Sequence, residues 1–122
     1  MDAYDRILER VKPGTTLRTP DDRVGQSFTV ETVDAEGVGV KTQRGGTVRI
    51  GLFAFDIAVK YLGDQGCTGD RWLEVKDPDF QMLLNAENDR VRASSYVLAI
   101  LGAAGVLDID GGRPNRVRLA AS

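Results

Sequence analysis

The period of the apolar positions changes several times along the 122 residues, and each change marks an element. Tyr4, Ile7, Leu8 and Val11 follow the i, i+3, i+4, i+7 spacing of one buried helical face, with Asp2 placed to cap it and Pro13-Gly14 to end it. Thr15 to Thr19 is a short strand candidate, followed by a polar loop through Pro20 and Gly25. The pattern then switches to alternation. Phe28, Val30 and Thr32, then Val38, Val40 and Thr42, then Val48 and Ile50 predict three short strands. Asp34 to Gly37 and Arg44-Gly45-Gly46 supply the turns of an antiparallel meander or partial barrel.

Leu52 to Leu62 returns to helical spacing. Phe55, Ala58, Val59 and Leu62 share one face, Phe53, Ile57 and Tyr61 flank it, and Gly63 is the expected C-cap. So apolar a circumference predicts a helix buried between the meander and the C-terminal part of the chain. Asp64 to Asp70 reads as a loop carrying Cys67, expected to be partly exposed and inert. Arg71 to Lys76 reads as a strand. Asp77-Pro78 then suits an N-cap with proline at the first helical position, for a helix over 78–87.

The last thirty residues give the clearest order of elements. Ser94 to Ala104 is helical, a glycine stop comes at Gly105, and Val106 to Ala120 forms two strands around Gly111–Asn115. This sequence of helix, helix and hairpin, with its Gly-Val-Leu and Arg-Pro-Asn-Arg-Val-Arg-Leu runs, resembles the recognition helix and wing of a winged-helix domain. The fold class expected is α+β: residues 1–63 as an α-β-β-β-α unit and residues 64–122 as a winged-helix-like unit. Each half is too small for a comfortable core alone, so the two are expected to share one.

Composition narrows the chemistry. Apolar content of 42% and charged content of 28% are those of an ordinary soluble domain. No apolar run approaches a membrane span, and Met-Asp-Ala-Tyr-Asp-Arg lacks the basic and apolar regions of a signal peptide, so a cytoplasmic location is expected. The single cysteine excludes an internal disulfide framework. With no histidine, Ser-His-Asp triads, imidazole acid–base steps and His-based zinc sites are excluded, and no cofactor is implied.

The net charge of −2 hides an asymmetry. Residues 1–89 carry 11 Lys/Arg against 16 Asp/Glu, or −5, whereas residues 90–122 carry 5 against 2, or +3. The winged-helix resemblance would place Arg90, Arg92 and Arg113 near the phosphates of DNA or RNA, with Ser94 and Ser95 at the start of the recognition helix. That helix holds no Arg, Lys, Asn or Gln to read base edges, so phosphate contact is expected rather than base reading. Across the hairpin, Asp110 should pair with Arg116 and Asp108 with Arg118, leaving Ile109–Val117 and Leu107–Leu119 for the buried face.

Two alternatives accompany this non-catalytic, nucleic-acid-associated reading. The small, smooth face containing Ser94, Leu98, Gly102 and Gly105 suits a protein partner or a homodimer, with Leu98 and Gly102 at the interface. Glu74-Val75-Lys76 is similar to the Glu-x-Lys part of PD-(D/E)xK nucleases, a resemblance that implies Mg²⁺, with Asp21, Asp64 or Asp70 as the further carboxylate. The glycine pairs Gly45-Gly46 and Gly111-Gly112 read as turns rather than phosphate cradles. Trp72 is open to either a core or a contact role.

Overall fold

Alternating apolar residues and tight turns build the first half as a four-stranded antiparallel meander. A computed structural model describes residues 3–20, 26–87, 94–110 and 116–120. In it α1 spans Ala3–Arg10, and β1 (Thr16–Arg18), β2 (Ser27–Asp34), β3 (Gly37–Thr42) and β4 (Thr47–Gly51) come next, in sheet order β1-β2-β3-β4. The short strand expected near Thr15–Thr19 thus joins the meander as its edge. Register pairs Val30 with Val40 and Val38 with Ile50, so their side chains fill the inner face, and a bulge falls between Val30 and Thr32. On the outer face Arg49 forks onto Asp34 at 2.8 and 3.0 Å, and its guanidinium holds that carboxyl below the usual range.

α1 buries Tyr4 and Ile7, with Val11 just beyond it, whereas Leu8 remains 37% exposed and does not join that face. Two polar bonds lock α1 in place. The Tyr4 hydroxyl donates to the Asp34 carbonyl at 2.5 Å, and Arg10 Nη1 donates to the Ala104 carbonyl at 3.2 Å.

α2 runs from Leu52 to Asp64, past the expected stop at Gly63. Gly66 closes the helix instead, because it takes φ +70° and lets the Cys67 amide reach back to the Leu62 carbonyl at 2.9 Å. β5 is only Leu73–Glu74, shorter than the expected strand over 71–76, because Val75-Lys76 turns into the next helix. That helix, α3, spans Pro78–Glu87 as expected, and Asp77 Oδ1 accepts the Phe80 amide at 2.9 Å as its cap.

α4 spans Ser94–Ala103, then β6 (Leu107–Asp110) and β7 (Arg116–Leu119) form the hairpin. The register is the expected one throughout: Leu107↔Leu119, Asp108↔Arg118, Ile109↔Val117 and Asp110↔Arg116. β5 adds to the outside of β7, giving a second sheet in the order β5-β7-β6.

Both sheets and all four helices contribute to a single cluster of buried side chains that extends from Tyr4 and Val30 to Leu98 and Val117. The fold is α+β, with antiparallel sheets joined through helices. Among the described residues, no helix is long and apolar enough to cross a membrane.

Candidate functional site

The outward face of the β5-β7-β6 sheet carries the polar side chains of the C-terminal unit. Antiparallel pairing aligns Glu74, Arg116 and Asp110 in one row and Arg118 with Asp108 in the next, and Trp72, the residue before β5, lies against Arg118. Arg118 Nε meets Asp108 Oδ2 at 3.0 Å, and Arg116 Nη2 meets Asp110 Oδ2 at 2.6 Å. Both pairs are those that the hairpin register predicts. They are partly solvent-exposed, so each contributes at most about 1 kcal/mol.

Trp72 adds what the pairing alone lacks. The Arg118 guanidinium lies 4.2 Å from the centre of its ring and that of Arg116 lies 5.5 Å away. Arg118 Nη1 also donates to the Gly69 carbonyl. One arginine is therefore tied at once to a carboxylate, a backbone oxygen and an aromatic face.

Beside it runs a groove of ≈ 560 Å³ between the Thr68–Asp70 turn and the hairpin, whose walls include Thr68, Gly69, Asp70, Asp108 and Arg118. The turn is fixed from below, where the Leu119 amide donates to the Cys67 carbonyl at 2.9 Å. The prominence of Trp72 was not legible in the sequence, because nothing local shows that β5 pairs with β7 and not with another strand.

The expected phosphate contacts Arg90, Arg92 and Arg113 lie outside the described residues. Ser94 opens α4, and Ser95 is half-buried. The face assigned to a protein partner is interior at Leu98. Leu98 is 1% exposed because α4 packs against α1, α2, α3, β1 and β6. At Gly102 the space is filled by Ile109 of β6. Leu98 and Gly102 are therefore packing residues, and no partner can reach Leu98 in the folded chain.

Cys67 also departs from expectation. It is buried, at 4% exposure, and burial pushes its thiol up, against the direction that activates a nucleophile. Glu74 and Lys76 are exposed, but Lys76 sits in the turn after β5 and not on a strand beside Glu74. Asp21 lies outside the described residues. Among the described residues, no three Asp, Glu or Cys side chains come together as a metal site.

The most exposed large apolar side chains among the described residues are Phe53 on α2 and Met82 on α3, each 67% exposed. Leu8 follows, and then Ile109, which at 36% exposure caps the end of α4 at Gly102 and is not fully on the buried face expected for it. No family model, curated protein or solved structure matches the chain.

Proposed function

We propose that the chain is a non-catalytic binding module whose winged-helix-like C-terminal unit contacts nucleic acid through phosphates, without base reading by α4. The observation that supports this most is the pairing within the hairpin. Arg116 and Arg118 are neutralised by Asp110 and Asp108, so the +3 surplus of residues 90–122 resides in Arg90, Arg92 and Arg113. Those three arginines belong to the two connections of the helix–helix–hairpin unit, Arg90 and Arg92 before α4 and Arg113 between β6 and β7. Phosphate contact needs cations on such connections and no polar reading face on the helix. The burial of α4 agrees with that division of labour.

The test is binding of labelled DNA and RNA by anisotropy across a salt series. Three phosphate contacts correspond to a log–log salt slope of about −2.7 on duplex DNA, or roughly fortyfold weaker binding between 50 and 200 mM salt. The triple variant Arg90→Ala/Arg92→Ala/Arg113→Ala should lose that dependence. Equal affinity of the variant and the parent chain would overturn the reading.

A second reading, a protein–protein adaptor or homodimer, would use Phe53 of α2 and Met82 of α3, each 67% exposed on helices that pack together. It predicts a concentration-dependent mass that Phe53→Ser and Met82→Ser abolish. A monomer at all concentrations would leave no support for the homodimer.

A further inference from the structure

We propose that the groove beside Trp72 holds one unpaired nucleobase of a single strand, stacked on the Arg118 guanidinium and read at its edge by Asp70. The inference rests on the phosphate-binding reading above and assigns a base site to the outer face of the β5-β7-β6 sheet.

The geometry has three parts. First, Arg118 is pre-set: Asp108, the Gly69 carbonyl and the Trp72 ring fix its plane, and it also lines the groove. A guanidinium already held against an aromatic ring offers a planar, cationic stacking surface with little side-chain entropy left to lose. Second, the groove, at ≈ 560 Å³, has room for a base and its sugar, with Leu119 contributing an apolar wall. Third, the Thr68 hydroxyl and the Asp70 carboxylate line it without a hydrogen-bond partner among the described residues.

An ionised carboxylate accepts hydrogen bonds and donates none. It therefore favours a base edge with an exocyclic amine, as in guanine, cytosine or adenine, over thymine or uracil, whose single N3–H donor is flanked by two carbonyl oxygens. The lining carries two carboxylates against one guanidinium, so a free nucleotide anion gains nothing here. Affinity comes from phosphate contacts elsewhere, and the groove adds base preference. A duplex keeps its bases stacked and paired, so the ligand is a single strand.

Trp72 is the chain's single tryptophan, so its fluorescence reports on the stack directly. The full chain is titrated with oligo(dC), oligo(dA) and oligo(dT) of equal length, following both strand anisotropy and Trp72 emission. Oligo(dC) and oligo(dA) should bind roughly ten- to a hundredfold tighter than oligo(dT), the effect of one hydrogen bond to a charged acceptor, and should change Trp72 emission. Asp70→Asn, an exposed residue with no described partner to lose, should remove the preference and keep the salt-dependent binding. Equal affinity for the three strands, unchanged emission, or an unaltered preference in Asp70→Asn would each overturn the base site while leaving the phosphate reading intact. Absence of all strand binding at low salt would overturn the base site, and the phosphate reading stands or falls on the duplex DNA and RNA salt series.

Discussion

Ile109 of β6 lies directly on Gly102 of α4: a Cβ built at Gly102 would sit 2.7 Å from Ile109 Cδ1. The glycine therefore serves the hairpin and not a partner. Its absent side chain lets the hairpin settle against the helix, and the turn after α4 is closed by Gly105 at φ +77°, with the Val106 amide on the Leu101 carbonyl at 3.0 Å.

That contact makes Gly102 a graded probe of hairpin docking. Gly102→Ala gains about 1 kcal/mol of helix propensity against a contact with the end of a flexible, partly exposed side chain, so urea unfolding should show a change within about 1 kcal/mol. Gly102→Leu must displace Ile109 altogether and should cost about 1–3 kcal/mol. The double variant Gly102→Leu/Ile109→Ala should recover part of that loss. Additive effects in the double variant would show that the two positions are not coupled.

Leu98 tests the same correction from the core side. A leucine at 1% exposure, surrounded by three helices and the meander, should lose about 2–5 kcal/mol on Leu98→Ala. A surface leucine would lose far less. A midpoint shift in urea of under about 0.5 kcal/mol equivalent would place Leu98 outside the core.

The contrast between Gly102 and the hairpin pairs shows what sequence can carry. Asp108–Arg118 and Asp110–Arg116 derive from loop length and the two-residue period of strands, which are local rules, and the register came out as expected. The α3 start at Asp77-Pro78 is equally local. The misplaced features are relational. Leu98 looked like part of a smooth surface because small residues suit a partner helix and an internal neighbour equally, and only the packing of α4 decides between them. Gly63 reads locally as the stop of α2, whereas the Cys67–Leu62 bond selects Gly66. The Trp72–Arg118 stack depends on β5 pairing with β7, a contact between residues far apart in the chain. The candidate base site was invisible for that reason.

Cys67, buried in the turn that walls that site, gives a chemical check on it. A buried thiol with its pKa raised by desolvation should react with a disulfide reagent only when the 66–70 turn opens. At neutral pH the expected outcome is a rate far below that of the unfolded chain, rising with urea. Reaction complete within mixing time in native buffer would place the thiol at the surface.

Tyr4 links α1 to the meander and provides a pH test without any histidine. Burial raises its pKa from 10.0 to about 12, the Asp34 carboxylate adds to the shift, and Arg49 opposes it. The neutral phenol is thus the form the fold favours. In the unfolded chain the phenol ionises near its ordinary value, so its contribution is complete below pH 10 and is lost as the pH rises from there toward about 12. Stability measured by urea midpoint should therefore fall over that alkaline window. Tyr4→Phe should weaken the fall while lowering stability at neutral pH, since the hydrogen bond to the Asp34 carbonyl is gone and that oxygen loses its donor. An alkaline fall of the same size in Tyr4→Phe would assign the titration to another group, with Tyr61, whose pKa is also raised by desolvation, as the next to replace.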